Sequence, residues 1–208
     1  MNTTPTTTLL LINASPRGER SHSRKLADDY LAAWRAAHPA GRAVVRDLAV
    51  EAPPFVNEAW VEGAFTPAAG HSPAAREAIR ISDHYVDELL AADEIAIATP
   101  MYNLSIPAVL KAWIDQIVRM GRTVAPSAGG FEGLAKGRRV RVLVASGSDF
   151  RPGSPGSGYN FVESYLRAVL GFIGLTDVTF VYAHSLNAGR RDASLAEART
   201  AIQALAAA

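Results

Sequence analysis

Three serines lie between the first apolar run of the chain and its first helix-like segment: Ser15, Ser21 and Ser23. Hydroxyls and backbone N–H groups that converge at the N-terminus of a helix can bind a phosphate. Serine is also favoured in turns and as a helix N-cap where no ligand is present. Taken by themselves, these residues leave both a phosphate site and a capped turn open.

A second polar loop follows the apolar run 94–98 and could bind a flat ring. It begins at Pro100 and continues through Met101, Tyr102, Asn103 and Leu104. A tricyclic flavin needs hydrogen bonds in its own plane and apolar or aromatic cover on its faces, and this loop offers backbone N–H groups and a tyrosine ring. Taken one at a time, the same residues are ordinary for a turn, a gap-filling methionine and a surface aromatic.

A third loop, Ser146–Asp149, follows the fourth apolar run and should lie beside the other two. The glycines further on are spaced G-x-x-G-x-G over residues 153–158, which differs from the dinucleotide fingerprint G-x-G-x-x-G and favours a flexible lid. A hydrolytic triad could be assembled from Ser146, His184 and Asp177, but no nucleophile-elbow motif accompanies it.

Five apolar runs alternate with helix-like segments, which predicts a parallel sheet covered by helices on both faces. The predicted strands are Thr8–Ile12, Ala43–Arg46, Glu94–Ala98, Val140–Ala145 and Val178–Ala183. The predicted helices span about 23–38, 72–92, 105–121 and 162–173, with a last one from about 192. We therefore expect a single α/β domain over residues 1–208, a flavodoxin-like three-layer sandwich with strand order 2-1-3-4-5.

The composition excludes several classes of function. The 208 residues carry a net charge of +1, so no broad basic surface calls for nucleic acid or an anionic membrane. Without cysteine there is no disulfide, thiolate metal site or cysteine nucleophile. No segment approaches the ~20 apolar residues that span a bilayer, and residues 1–5 do not begin a secretory leader, so we expect a cytoplasmic protein.

Two stretches interrupt the strand–helix rhythm, at residues 51–70 and 122–137. Loops longer than ~12–15 residues in compact domains are commonly functional or disordered. The first stretch carries Trp60 and Phe65, and we expect both to pack on a second copy of the chain. A homodimer is therefore predicted.

Read together, the three loops resemble those of the FMN-dependent NADH-azoreductase and quinone reductase family. The matching segments are Ser15-Pro16-Arg17 with Ser21-x-Ser23, Pro100-Met101-Tyr102-Asn103, and Phe172-Ile173-Gly174-Leu175-Thr176-Asp177-Val178. The resemblance implies a homodimer with tightly but non-covalently bound FMN at two interface sites. It implies these cofactor-binding residues: Ser15, Ser21, His22, Ser23, Pro100, Met101, Tyr102, Asn103, Leu104, Ser146, Gly147, Ser148 and Asp149. The chain departs from the family in two places. The residues at 146–149 differ from those of many relatives, and Val124 stands where relatives often place an aromatic ring.

The resulting hypothesis is an FMN oxidoreductase. It would take a hydride from NADH or NADPH onto flavin N5 and pass two electrons to a quinone or azo acceptor by a ping-pong mechanism. No catalytic side chain is required, because the cofactor carries the chemistry. We expect Tyr102, Asn103 and Val124 to bound the substrate space. Two alternatives are a flavodoxin-type electron carrier without a substrate pocket, and an FMN-free regulatory or hydrolytic relative.

Overall fold

A five-stranded parallel sheet forms the centre of the computed structural model, which describes residues 7–206. The strands are β1 (Thr8–Asn13), β2 (Arg42–Asp47), β3 (Glu94–Pro100), β4 (Val124–Ser127), β5 (Gly130–Gly133), β6 (Arg139–Ala145) and β7 (Asp177–Ala183). The large sheet has the order β2-β1-β3-β6-β7, and every neighbouring pair is parallel. This confirms the predicted order, since β4 and β5 form a separate hairpin. The expectation about residues 1–5 lies outside the described residues.

Helices cover both faces of this sheet. They are α1 (His22–Ala37), α2 (Glu58–Phe65), α3 (Pro73–Ala91), α4 (Ala108–Ile117), α5 (Phe161–Phe172) and α6 (Arg191–Ala206). Side chains alternate along β1, so Leu9 and Leu11 pack with α1 and α6, whereas Leu10 and Ile12 pack with α3, α4 and α5. Within residues 7–206, none of these helices is long and apolar enough to cross a bilayer.

Two of the predicted helix starts are confirmed by their caps and one is corrected. The side chain of Ser21 caps α1 by accepting a hydrogen bond from the backbone N–H of Arg24. Ser72 caps α3 in the same way, and Pro73 is the first residue of that helix. Helix α4, in contrast, begins at Ala108 and ends at Ile117, so it is shorter than the predicted span 105–121. The helix starts later than predicted because Ser105 pairs with the backbone of Tyr102 instead of capping the helix.

The stretch 51–70 contains the short helix α2 and is anchored inside its own chain. The indole Nε1 of Trp60 donates to Oε1 of Gln116 at 2.9 Å, and Nε2 of Gln116 donates to the carbonyl of Pro54 at 2.8 Å. Trp60 is only 8% exposed, so the expectation that it packs on a second copy is wrong. Phe65, by contrast, is 69% exposed.

The stretch 122–137 holds the β4–β5 hairpin, which is docked on the end of α5. A Cβ on Gly133 would lie 2.1 Å from the backbone nitrogen of Gly174, and the amide of Ala135 donates to the carbonyl of Ile173 at 2.8 Å. Val124 pairs with Gly133 and belongs to the core, with 1% of its surface exposed.

We predict that Gln116→Leu lowers the free energy of unfolding by about 1–3 kcal/mol, because it leaves the buried Trp60 indole without an acceptor. Urea unfolding measures the change. Gln203→Leu, on the exposed side of α6, is the matched control and should stay within about 0.5 kcal/mol of wild type. Equal losses in the two variants would contradict the anchoring role.

Candidate functional site

Four loops meet at the carboxyl edge of the sheet, where ligands bind in open α/β folds. They follow β1, β3, β6 and β7 and enclose a cavity of about 260 Å³. The lining residues are Ser15, Arg17, Ser21, His22, Ser23, Pro100, Met101, Tyr102, Ala145, Ser146, Gly147, Leu186, Asn187 and Arg191. Nine of the thirteen predicted cofactor-binding residues thus line one cavity.

The end of the cavity beside α1 is lined by buried hydroxyls. Ser15, Ser21 and Ser23 are each no more than 2% exposed, and the Oγ atoms of Ser21 and Ser23 lie 3.1 Å apart. Ser21 also caps α1, so the two readings of these serines are compatible. The first backbone N–H groups of α1 have no acceptor in a preceding turn and add donors at the same end.

This end of the cavity is electropositive. The side chains of Arg17 and Arg191 line it, and the pKa of His22 is lowered by burial and then by Arg191, Lys25 and Arg17. The buried Nδ1 of His22 has no hydrogen-bond partner among residues 7–206. Clustered cations, an unpartnered imidazole nitrogen and a helix N-terminus together fit a dianionic phosphate.

Arg24 fixes the segment that carries Ser15, Ser21 and Ser23, which we call the serine turn. Its Nε donates to the carbonyl of Ser15 at 2.9 Å, and its two terminal nitrogens donate to the carboxylate of Asp47 at 2.5 and 2.6 Å. This bidentate pairing lowers the pKa of Asp47, so the bridge from α1 to β2 persists at neutral pH. The position of Ser15 is therefore set before any ligand binds.

The loop after β3 is a strained hairpin, which we call the Tyr102–Ser105 turn. Tyr102 and Ser105 exchange both backbone hydrogen bonds, at 3.0 and 3.1 Å. The two residues between them, Asn103 and Leu104, have φ of 49° and 72°, as in a type I′ turn. Within residues 7–206, their N–H groups have no protein acceptor. The turn therefore presents adjacent free donors next to the half-exposed Tyr102 ring, which fits the edge and face of a flavin.

The loop after β6 is fixed by its own backbone. Oγ of Ser146 donates to the carbonyl of Ser148 at 2.7 Å, and the same carbonyl accepts the amide of Ser185. Asp149 pairs with Arg151 at 2.8 Å, which holds the pKa of the Asp149 carboxyl at about 2. Of the four predicted residues here, Ser146 and Gly147 line the cavity, whereas Ser148 and Asp149 hold the loop.

A second, apolar cavity of about 620 Å³ adjoins the first at Tyr102. Its lining residues are Pro16, Leu48, Ala49, Ala52, Tyr102, Asn103, Ser105, Ile106, Pro107, Ala108 and Val109. Tyr102 and Asn103 thus lie at the boundary of an open apolar space. Val124 lines neither cavity, because its side chain belongs to the hydrophobic core, so the expectation that it bounds the substrate space is wrong.

The sequence reasoning missed the fourth loop. Leu186 and Asn187 line the cavity from the segment between β7 and α6, and Arg191 lines it from the first position of α6. The amide of Asn187 donates to the carbonyl of Gly147 at 3.1 Å. The rule that selected the other three loops also applies to residues after β7, so this signal was present in the strand pattern. Arg17 lay in a recognised motif but was not included in the predicted site.

The hydrolytic triad is excluded by geometry. Ser146 and His184 lie beyond the carboxyl ends of β6 and β7, whereas Asp177 opens β7 at the opposite edge and pairs with Arg141. Seven residues of strand, about 20 Å, separate Asp177 from the other two.

The fold and the site define a flavodoxin-like α/β protein with a cavity at the carboxyl edge of its sheet. A family model described as having a flavodoxin-like fold matches residues 7–206, and the chain belongs to this family. It is 53% identical to an FMN-dependent NADH:quinone oxidoreductase of Nostoc punctiforme, over 94% of this chain and 96% of the relative. A second such relative, from Trichormus variabilis, is 47% identical over 93% and 95% of the two chains. An azoreductase structure from Bacillus anthracis has a TM-score of 0.90 at 27% identity, covering 97% and 99%.

We predict that Leu104→Gly leaves the free energy of unfolding unchanged or raises it by up to about 1 kcal/mol, because glycine removes the cost of a left-handed backbone. Chemical denaturation of the apoprotein measures this. Leu134→Gly changes a leucine that is 40% exposed and has no positive φ, and it should lower stability by about 1 kcal/mol. A comparable loss at Leu104 would contradict the strain.

Proposed function

We propose that the protein is an FMN-dependent oxidoreductase that transfers two electrons from NADH to quinones and azo compounds. The observation that carries this is one cavity lined both by buried serine hydroxyls with two arginines and by Tyr102, from the turn whose N–H groups are free. Its relatives, which are FMN-dependent NADH:quinone oxidoreductases and an azoreductase, support the same activity.

FMN would supply the redox chemistry when bound, accepting a hydride at N5 and returning two electrons to the acceptor. The serine hydroxyls, the first turn of α1 and the two arginines would bind its phosphate. The free N–H groups of Asn103 and Leu104 would hold the ring edge, while Tyr102 covers part of the ring. A Cβ on Gly147 would lie 2.6 Å from the side-chain nitrogen of Asn187, so glycine lets the loops after β6 and β7 approach each other closely.

The apolar cavity beside Tyr102 is the proposed acceptor space. Its walls are aliphatic, which suits a flat apolar quinone or azo compound. Donor and acceptor would use this space in turn, and that order of events is a ping-pong mechanism. We propose NADH as the donor, and the use of NADPH stays a prediction.

Two half-reactions test the proposal. Anaerobic NADH should bleach the yellow holoprotein without any acceptor, and a quinone added afterwards should restore the colour. An electron carrier would remain oxidised with NADH alone and would need a protein partner. A carrier that docks on basic partners needs an acidic surface, and the net charge of +1 shows no acidic excess, which favours the enzyme over the carrier.

A homodimer is part of this proposal. The stretch 50–65 exposes several large apolar side chains: Val50, Phe55, Val56, Val61 and Phe65, each at least 41% exposed. Several large apolar side chains exposed in one short stretch favour an interaction site in a soluble protein. Leu48, Ala49 and Ala52, which precede this stretch or lie within it, line the apolar cavity. A second copy would therefore cover the acceptor space.

Replacing Ser21 and Ser23 together by alanine should weaken FMN binding by at least tenfold and riboflavin binding by less than threefold, because only FMN carries the phosphate. Flavin fluorescence titration of the apoprotein gives both affinities. Thr200→Ala, at an exposed position of α6 whose hydroxyl donates to the carbonyl of Ala196 in the same helix, should bind both flavins as wild type does. Equal losses for the two flavins would remove the phosphate assignment.

We expect Phe55→Ser with Phe65→Ser to convert a dimer into a monomer, because both rings are more than two-thirds exposed in the single chain. Light scattering across protein concentration reports the mass. Val45→Ser, at an exposed position on β2, should leave the mass unchanged. A wild-type monomer with full activity would reject the dimer.

A further inference from the structure

Asn160 precedes α5 and lies where two loops contact the N-terminus of this helix. These are the Tyr102–Ser105 turn and the Ser146–Asp149 loop, which we call the two flavin loops. Its side-chain amide donates to the carbonyl of Phe150 at 2.9 Å and to the phenol oxygen of Tyr182 at 3.0 Å. Its Oδ1 accepts the amide of Glu163 at 3.0 Å and so caps α5. With 9% of its surface exposed, Asn160 uses both amide hydrogens and its oxygen within the protein.

The residue after Asn160 is bonded to the other loop. The amide of Phe161 donates to the carbonyl of Leu104 at 3.2 Å, and Leu104 is the second left-handed residue of the Tyr102–Ser105 turn. Phe150 directly follows the Ser146–Asp149 loop. Two consecutive residues, Asn160 and Phe161, therefore hold the two loops that follow the neighbouring strands β3 and β6.

Tyr182 fixes the orientation of the Asn160 side-chain amide. Burial, and then its hydrogen bond to Glu163, raises the pKa of the phenol, which stays protonated and donates to the Glu163 carboxylate. The phenol oxygen is thereby left as an acceptor for Asn160. Arg167 fixes the other oxygen of Glu163 at 2.8 Å. The Asn160 amide is consequently held in one orientation, with its second hydrogen aimed at Phe150.

We propose that Asn160 is a positioning residue that sets the separation of the two flavin loops by tying Phe150 to the α5 terminus that also holds Leu104. This rests on the proposed function, because the loops matter to catalysis only if a flavin lies between them. Helix capping alone would explain the Oδ1 contact. It would not explain why the two amide hydrogens are donated to Phe150 in the loop and to Tyr182 on β7.

Asn160→Ser separates capping from tethering. Serine caps helices about as well as asparagine, but its hydroxyl is too short to replace the amide donors to Phe150 and Tyr182. Asn57→Ser makes the same exchange at the cap of α2, whose asparagine oxygen accepts the amide of Trp60. Asn160→Asp is the second variant, which keeps the cap and the side-chain size and loses both N–H donors.

Two readouts test the tether. In the apoprotein, amide exchange should accelerate at least fivefold at Ser154, Ser157 and Tyr159, whose N–H groups close the turns between Phe150 and Asn160. The affinities for FMN and riboflavin should both fall about threefold to tenfold and by the same factor. Asn57→Ser should change neither readout.

Unchanged exchange with unchanged flavin affinity in both Asn160 variants would overturn the proposal. So would a loss confined to FMN, because a phosphate effect is not a change at the ring. If wild type binds neither flavin, the proposed function fails, and the exchange rates alone decide whether Asn160 tethers the loop.

Discussion

Burial of the central sheet on both faces is the constraint on which the rest of the structure depends. The middle residues of β3, 95–98, and of β6, 142–144, are all apolar and buried, so polar chemistry has no place in the centre of the sheet. It is confined to the strand ends, and since all five strands are parallel, the carboxyl ends share one edge. The serine turn, the Tyr102–Ser105 turn and the two loops after β6 and β7 meet there for that reason.

The site is organised before a ligand arrives. Arg24 and Asp47 fix the serine turn, and hydrogen bonds between the two neighbouring loops fix Gly147. Two features are costly in the single chain, namely cations gathered at the α1 terminus and two left-handed residues in succession. Unfavourable free energies of this kind are retained at functional sites. A bound phosphate would neutralise the clustered cations, and a bound ring would use the N–H groups that the left-handed residues present.

The fold and most of the site could be predicted because they depend on local patterns. Apolar runs and caps such as Ser72 placed the elements, and strand ends then selected the loops. Long-range contacts were not visible in these patterns. Trp60 was expected at an interface because nothing local reveals its bond to Gln116, 56 residues away. Val124 was wrongly expected to bound the substrate space, because its burial depends on the packing of the β4–β5 hairpin against the end of α5.

Ser105 shows how a local rule can identify the right residue with the wrong role. A serine before Pro107 and an apolar helix is typical of an N-cap, yet its backbone closes the Tyr102 turn and the helix begins without a side-chain cap. The helix loses a local stabilisation of about 1 kcal/mol. The turn gains two hydrogen bonds that hold Asn103 and Leu104 in their left-handed conformations. The stability of α4 and the presentation of free N–H donors thus compete for one residue, and the backbone of Ser105 serves the loop that faces the cavity.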